Sequence, residues 1–296
     1  MPVQALAGIN LDVARGELFG LLGPNGAGKS TTIGICTTRT LPSGGTVHIN
    51  GIDVVAHPAA ARRFMGVVPQ YNTLDRQCTI EENVYFHCRF FGWSHSAATV
   101  RTRELLEIFK LAERGKSFVR ELSGGLAQRV QIARAIAHNP EILFLDEPSA
   151  GLDPQSRLAL WDSIRTLRER GITILLTTHY MEEADQLCDR VAIIDHGKIL
   201  VCDTPAVLKR EAGGQRIYEL RMKNAEDVQI IPRLQAVPGV TSVEKTTAAL
   251  RVFSDQHDGL LPRIVEVTGD NLRDISVHEP SLETVFIKLT GRDLRD

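Results

Sequence analysis

A glycine-rich segment near the start of the chain has the composition and spacing of a phosphate-binding loop. It fits the pattern G-x-x-x-x-G-K-[ST] and lies between an apolar run and a helical pattern. Glycines let the backbone curl until its N–H groups point at phosphate oxygens, and the helix start adds partial positive charge. The residues expected around the phosphates are Gly23, Pro24, Asn25, Gly26, Ala27, Gly28, Lys29, Ser30 and Thr31.

Two side chains of this loop have specific expected roles. Lys29 is predicted to reach the β- and γ-phosphates of ATP, and the Ser30 hydroxyl is predicted to ligate Mg²⁺. The alternative is a glycine turn that fits the pattern by chance.

Two adjacent acids end an apolar run in the middle of the chain. Asp146 and Glu147 directly follow Ile142–Leu145, which has the composition of a buried strand. A buried strand has no structural use for neighbouring carboxylates. We expect Asp146 to hold Mg²⁺ opposite Ser30, and Glu147 to polarise an attacking water. Taken alone, the pair could also be a strand end followed by a solvated turn.

A second helix start has the character of an anion site. Ser123, Gly124 and Gly125 precede the helical pattern of Ala127–Ala137. A serine and two glycines at this place can present backbone N–H groups to an anion. One chain rarely needs two such sites for one nucleotide.

The elements that must position these residues alternate between strand and helix. Apolar runs at Leu18–Leu22, Ile142–Leu145 and Ile172–Leu176 are each followed by a helical pattern. This alternation predicts an α/β fold with a largely parallel sheet, whose ligands sit beyond the carboxyl ends of the strands. Residues 79–138 are mostly helical, most clearly at Ala97–Phe109, and form a predicted helical subdomain inside the α/β domain.

The pattern changes after a glycine-containing break at 211–215, so we predict domains at 1–210 and 215–296. The second has the β-α-β-β-α-β order of a small α+β ferredoxin-like domain. Its predicted elements are Arg216–Met222, Ala225–Ala236, Val240–Lys245, Ala248–Ser254, Leu260–Thr268, Asp274–His278 and, as a closing helix, Leu282–Leu289.

Composition excludes several classes of protein. The net charge of −2 over 296 residues argues against a nucleic-acid partner. Five cysteines without a C-x-x-C pair argue against a disulfide framework or a zinc site. No apolar run reaches the ~18 residues that span a bilayer, and no signal peptide is indicated. A role at a membrane would therefore require recruitment by another subunit.

The order of these motifs resembles the nucleotide-binding subunit of ABC transporters. A phosphate loop, Gln70, a Leu-Ser-Gly-Gly helix start, Leu-Asp-Glu-Pro and His179 follow each other with matching spacings over about residues 8 to 205. The resemblance implies that Gln70 ligates Mg²⁺ and senses the membrane partner, and that His179 contacts the γ-phosphate. A lone histidine is usually structural, but its place after an apolar strand and two threonines favours a function.

The same resemblance implies a paired assembly. A homodimer, or two paired ATPase subunits, would sandwich two ATP molecules head to tail. Ser123, Gly124 and Gly125 of one subunit would contact the γ-phosphate held by the other, which explains the second anion site. Asp153 would bridge the subunits, and Glu147, His179, Lys29 and Gln70 would form the catalytic set.

A closer resemblance is to the drug-exporter branch that includes daunorubicin-resistance ATPases. The segments that carry it are Phe19–Gly26, Leu74–Asp75, Thr79–Asn83 and Glu279–Gly291. It implies an ATP-hydrolysing exporter subunit, peripheral on the cytoplasmic face of the cell membrane and paired with separate transmembrane permease subunits. The implied substrate is a drug, an antibiotic or a lipid-like molecule.

An aromatic cluster marks the expected contact with the permease. It lies in or beside the groove of Gln70–Phe91 and comprises Phe86, Phe90, Phe91 and Trp93. These side chains could receive a coupling helix of the membrane subunit. Ordinary core packing is the alternative.

Two rival functions follow from the same motifs. Soluble ABC ATPases of ribosomes usually carry two ATPase domains in tandem, and those of chromosomes carry a long coiled coil; this chain has neither pattern. A scaffold that binds ATP without hydrolysing it would not require both Glu147 and His179.

The chain departs from the family pattern at two places. Leu126 replaces a commoner glutamine, a change that the drug-export branch tolerates. No aromatic precedes Phe19, whereas family members usually stack one on adenine just before a strand corresponding to Ala7–Val13. Base stacking is worth ~1–3 kcal/mol. We therefore expect the native reading frame to begin upstream of Met1.

Overall fold

The computed structural model describes residues 4–211, 216–223, 230–246, 249–254, 259–278 and 281–290. The chain forms two compact units, one ending at Thr204 and the other beginning at Pro205. The second unit starts there because its first helix packs against its last.

A mixed sheet forms the centre of the first unit. Its strands are β1 Leu18–Leu22, β4 Met65–Val68, β5 Ile142–Asp146, β6 Thr173–Thr178, β7 Arg190–Asp195 and β8 Lys198–Asp203. Two short strands, β2 His48–Ile49 and β3 Ile52–Asp53, form a separate two-stranded sheet. Within the described residues the main sheet has the order β4-β5-β6-β1-β7-β8. All neighbours pair in parallel except the edge strand β8, which is antiparallel to β7.

Burial explains why these segments are strands. β1 and β6 are buried along their whole length, as expected for parallel strands covered on both faces. The predicted parallel sheet is confirmed, with one shift: β6 begins at Thr173 and continues to Thr178. The extension occurs because Thr177 pairs with Asp146 and Thr178 with Leu22 in register.

Helices and helical turns surround the sheet and fill the insertion between β4 and β5. They are α1 Lys29–Cys36, α2 Pro58–Ala61, α3 Ile80–Phe90, α4 His95–Ile108, α5 Gly124–Ala135, α6 Pro154–Glu169 and α7 Met181–Leu187. The insertion that contains α3, α4 and α5 is largely helical, as the periodicity predicts. α3 begins with a capping box between Thr79 and Glu82. α5 begins before its periodic segment because Ser123 caps it.

The strand expected at Ala7–Val13 is absent: the structure assigns none to that described segment. Leu6, Leu11 and Val13 pack against the core beside the sheet. The backbone makes an isolated hydrogen bond from Ala7 N to Gly197 O rather than a ladder. A strand needs consecutive partners, and β2 and β3, at two residues each, pair with one another.

The second unit is an antiparallel sheet with helices. Its elements are α8 Pro205–Glu211, β9 Arg216–Met222, α9 Ile230–Gln235, β10 Val240–Lys245, β11 Leu250–Ser254, α10 Leu260–Thr268, β12 Leu272–His278 and α11 Leu282–Thr290. The strand order is β10-β11-β9-β12, which is that of the predicted split motif. The first residues of the predicted helix at Ala225–Ala236, and Ala248 of the predicted hairpin, lie outside the described residues.

No helix in the part of the chain that the structure describes is long and apolar enough to cross a bilayer.

Candidate functional site

The predicted chemical residues meet at one edge of the main sheet. β4, β5, β6 and β1 are parallel neighbours, so their carboxyl ends face the same side. The loop at 23–28 follows β1, Gln70 follows β4, Glu147 follows β5 and His179 follows β6. Sheet order therefore gathers residues that lie more than a hundred positions apart in the chain.

The phosphate loop has the backbone that its glycines require. Gly28 stands at φ 110° and ψ 2°, a left-handed conformation from which α1 begins. Lys29 is the first helical residue and is only 4% exposed. Its Nζ donates to the carbonyl oxygens of Gly23 at 2.8 Å and Pro24 at 3.0 Å. The lysine thus holds the loop closed around its own ammonium group.

Glu147 joins the three other predicted catalytic residues. Its Oε1 lies 3.0 Å from Lys29 Nζ. Its Oε2 accepts from Gln70 Nε2 at 3.2 Å and lies 3.1 Å from His179 Nδ1. The glutamate is 8% exposed. One buried carboxylate therefore connects the loop after β1 to those after β4 and β6.

The backbone of Glu147 is held in an uncommon conformation. Its φ is 49°, which is sparsely populated by residues other than glycine. Its N–H bonds Thr177 O at 3.1 Å and Thr177 Oγ1 at 3.0 Å. These bonds fix the direction in which the carboxylate leaves the strand end.

Asp146 and Ser30 form an oxygen pair beside this cluster. Ser30 Oγ donates to Asp146 Oδ1 at 3.0 Å, and Thr177 Oγ1 donates to the same oxygen at 2.7 Å. Asp146 is 2% exposed. Two of the three predicted metal ligands are therefore adjacent, and the third, Gln70, bonds Glu147.

Thr177 is a site residue that sequence reasoning missed. Its side chain is completely buried and bonds both the Asp146 carboxylate and the Glu147 backbone. The available signal was a pair of threonines at the end of an apolar strand, in a position to face the acids of the neighbouring strand. That signal becomes specific only when β5 and β6 are known to be adjacent.

The second helix start divides into an exposed and a buried part. Ser123 and Gly124 are exposed, and Ser123 Oγ caps α5 by accepting from Leu126 N at 3.4 Å. Gly125 is buried, and a Cβ there would lie 2.5 Å from Ser156 Oγ and 2.6 Å from Ser156 Cβ. Close packing of α5 on α6 therefore requires the second glycine within this chain, whatever else it contacts.

Asp153 is exposed and caps α6. Its Oδ1 accepts from Ser156 N at 3.0 Å. Hydrogen bonds from the side chain and backbone of Ser156 lower the pKa of Asp153. Among the described residues, no hydrogen bond joins Asp153, Ser123 or Gly124 to the phosphate site of their own chain. Together with Gly125, which packs on Ser156, these three are the predicted site residues that the single chain does not bring together with the others.

The adenine end of the site would need an exposed aromatic ring to stack on the base, and Phe19 does not provide one. Phe19, the first aromatic in the chain, is 0% exposed and packs in the core. The guanidinium of Arg190 lies 5.5 Å from its ring centroid. Phe19 therefore cannot stack on a base.

A largely parallel sheet with a lysine-bearing glycine loop after β1 and paired acids at the end of β5 defines the P-loop class of ATPases. The ABC transporter family profile matches residues 6–150. A daunorubicin resistance ATP-binding protein of Streptomyces coeruleorubidus is 38% identical over 99% of this chain and 93% of that protein. The chain belongs to the ATP-binding proteins of the ABC transporter family.

Two further comparisons support the same assignment. A Nod factor export ATP-binding protein of a Rhizobium species is 38% identical over 97% of this chain and 92% of that protein. A dimeric ATP-binding cassette solved in a post-hydrolysis state with ADP and Pi has a TM-score of 0.62 at 30% identity, covering 68% of this chain and 90% of that one. The predicted family, fold and ATPase activity are confirmed.

Proposed function

We propose that the chain is the ATP-hydrolysing subunit of an exporter and that it works as a head-to-tail pair. The observation that carries the pairing is the separation of two half-sites. Lys29, Glu147 and His179 interact within one chain, whereas Ser123 and Gly124 are exposed and make no hydrogen bond to that cluster among the described residues. A second subunit that faces the first supplies the missing half.

Each residue of the site has a role that its geometry permits. Lys29 neutralises the β- and γ-phosphates, and Glu147 orients water for in-line attack on the γ-phosphate. His179, which already contacts Glu147, stabilises the transferred phosphoryl group. Asp153 contacts the partner subunit from the first turn of α6.

Magnesium fits the oxygen ligands of this site. Mg²⁺ is usually bound by one or two carboxylates together with waters and substrate phosphates. Ser30 Oγ and Asp146 Oδ1 are 3.0 Å apart and would hold it, with the amide oxygen of Gln70 as a further ligand. Among the described residues, no cluster of three or more His, Cys, Asp or Glu side chains forms an all-protein cage. Bound there, the ion neutralises phosphate charge.

Exposed aromatic rings on α3 support a membrane partner. Phe90 is 85% exposed and Phe86 45% exposed, which favours docking over core packing for these two rings. Phe91 is 39% exposed but stacks on His138 with a centroid distance of 3.7 Å. Trp93 is half-buried. A coupling helix of a separate permease subunit would cover the exposed rings and place the ATPase on the cytoplasmic face of the membrane.

The substrate is proposed from relatives. Those compared above are named for daunorubicin resistance and for Nod factor export. We propose an amphipathic drug, antibiotic or lipid-like substrate, selected by the permease. We further propose that residues 1–210 act as the ATP-binding domain, with 79–138 as its helical subdomain, and that 215–296 is an accessory domain.

Replacement of Glu147 by glutamine tests the ATPase proposal. We expect Glu147→Gln to bind Mg·ATP, to lose turnover and to accumulate as an ATP-bound dimer in analytical ultracentrifugation. The exposed, equally charged Glu182 provides the control variant Glu182→Gln. Wild-type turnover in Glu147→Gln would remove this residue from the proposed role, and a monomer with ATP would contradict the pairing.

Membrane recruitment is tested separately. The chain is co-expressed with a candidate six-helix permease subunit, and the membrane-bound fraction is measured after flotation. Phe86→Ser with Phe90→Ser should lower that fraction while ATPase activity of the isolated chain stays unchanged. Equal recruitment of both forms would overturn the proposed docking surface.

A further inference from the structure

A buried carboxyl group lies behind the site and has no part in the reaction as described so far. Glu183, on α7, is 0% exposed. Its Oε1 accepts a hydrogen bond from Trp161 Nε1 on α6 at 3.0 Å. Burial of a carboxyl group costs free energy unless it is well partnered. Its neighbour Glu182 is exposed, so only one of these two adjacent acids is buried.

The groups around Glu183 come from three segments that lead to the reacting residues. The hydroxyls of Thr178 and Ser149 lie beside its carboxyl group, as does the guanidinium of Arg157. Thr178 directly precedes His179, and Ser149 lies two residues after Glu147. Arg157 and Trp161 belong to α6, the helix that Asp153 caps.

The residues beside Glu183 also hold the turn that carries His179. Thr178 Oγ1 accepts from Tyr180 N at 2.9 Å. The Tyr180 ring lies 4.1 Å from the His179 ring, and the Arg157 guanidinium lies 4.6 Å from the Tyr180 ring centroid. A change at the carboxyl group of Glu183 therefore reaches His179 through the Thr178 hydroxyl.

Buried polar atoms at and around the Glu183 carboxyl group have unused hydrogen-bonding capacity. Glu183 Oε2, Ser149 Oγ and Arg157 Nε are buried and lack a hydrogen-bond partner among the described residues. Such atoms are few in native proteins and each calls for an explanation. Burial raises the pKa of Glu183, although the neighbouring hydroxyls, Trp161 and Arg157 lower it. A neutral carboxyl group can accept through one oxygen and donate through the other.

We propose that Glu183 is a positioning residue for ATP hydrolysis. Its carboxyl group bonds Trp161 of α6 and lies between Thr178, which precedes His179, and Ser149, in the segment between Glu147 and Asp153. This packing keeps both catalytic side chains in their places in the site. The inference rests on the proposed roles of Glu147 and His179.

Three variants of the full-length chain test it. Glu183→Ala removes the carboxyl group and its bond to Trp161, and Glu183→Gln keeps an acceptor for Trp161 and nearly the same shape. Glu182→Ala is the control, since it removes the same charge from the exposed neighbour. For Glu183→Ala we expect kcat per folded protein to fall about tenfold or more, with KM for ATP within about twofold. The Gln variant should stay within about threefold of wild type, and the control should be unchanged.

The split between kcat and KM separates positioning from stability. Among the described residues the phosphate loop makes no hydrogen bond or ion pair with Glu183, so equilibrium ATP binding should be preserved. A purely structural role would lower the melting temperature and leave kcat per folded protein intact, which would overturn the proposal. So would equal losses in the Ala and Gln variants.

A milder change covers the case in which Glu183→Ala does not fold. Trp161→Phe keeps one aromatic ring and removes the N–H donor together with part of the buried indole, and we expect kcat per folded protein to fall about threefold. In a double-mutant cycle, Trp161→Phe should have no further effect on kcat in the Glu183→Ala background where that protein folds. In the Glu183→Gln background, which keeps the acceptor, it should cost about as much as in the wild type. Unchanged kcat in Trp161→Phe, or simple additivity with Glu183→Ala, contradicts the inference.

The Glu147→Gln variant distinguishes failure of the positioning role from failure of the proposed function. If it abolishes turnover while Glu183→Ala does not change kcat, only the positioning role fails. If Glu147→Gln keeps wild-type turnover, the proposed function itself fails.

Discussion

The ammonium group of Lys29 and the carboxylate of Glu147 form an ion pair of 3.0 Å in which both side chains are almost completely buried. The pair joins the phosphate loop to the residue proposed to activate water. Nucleotide phosphates must therefore compete with Glu147 for the lysine, in addition to displacing its bonds to the loop carbonyls.

This competition gives Glu147→Gln a specific stability signature. Loss of one partner of a buried pair leaves an uncompensated charge, which costs on the order of 3 kcal/mol. Without nucleotide, the free energy of unfolding should therefore fall. ATP replaces the lost anion, so the variant should gain more stability from ATP than the wild type does. Urea unfolding with and without Mg·ATP measures both effects, and an equal gain in the two proteins would contradict the competition.

Thr177→Val removes the hydroxyl that links Asp146 to the backbone of Glu147. The shape of the side chain is nearly kept, but the Asp146 carboxylate and the Glu147 N–H each lose a bond. We expect turnover to fall about tenfold, corresponding to ~1.4 kcal/mol of transition-state stabilisation. Thr177→Ser should restore most of it, and steady-state ATPase assays of both variants give the comparison. Full activity in Thr177→Val would show that the link is dispensable.

The two glycines at the start of α5 should respond differently to alanine. Gly125→Ala places a methyl group against Ser156, and overpacking of this kind costs ~1–3 kcal/mol. A Cβ at Gly124 would meet only Leu152 Cδ2, at 3.6 Å, so Gly124→Ala should fold normally. Urea denaturation measures the first effect. ATP-dependent dimer formation should fall in Gly124→Ala if this residue faces the partner's nucleotide.

A histidine pair in the helical insertion predicts a loss of stability in acid. Burial lowers the pKa of both His87 and His138 to about 4. The unfolded chain binds these protons at a pKa near 6.5, so protonation between those values favours unfolding. The contribution of the pair is complete above about pH 6.5 and is lost as the pH falls towards 4. We expect the free energy of unfolding to fall by ~1–3 kcal/mol over this range. The loss is limited to this size because both rings keep some solvent contact.

Unfolding by urea at several pH values checks this expectation. His87→Gln with His138→Gln should flatten the pH dependence of the unfolding free energy. The exposed His57 offers the matched control His57→Gln, which should keep the wild-type slope. An unchanged slope in the double variant would assign the acid sensitivity to other groups.

The sequence by itself determined the features that depend on local chemistry. The glycine loop, the buried strands, the helix start at Ser123–Gly125 and the acids at 146–147 are each visible in a few consecutive residues, because phosphate cradling, strand burial and helix initiation act over that length. Their order was enough to place the chain in its family. It did not show that Leu6, Leu11 and Val13 pack without forming a strand, since a strand exists only where a neighbour offers a ladder.

The tertiary structure alone decided which of these residues touch. The strand order β4-β5-β6-β1 places Gln70, Glu147 and His179 together and brings Thr177 under both acids. It also gives Gly125 a packing role against Ser156 and buries Glu183 behind the turn of His179. These contacts join segments far apart in the chain, and no local pattern encodes them. They follow from the register of the sheet and from the packing of helices on it. The same arrangement pairs Lys29 of the phosphate loop with the carboxylate of Glu147.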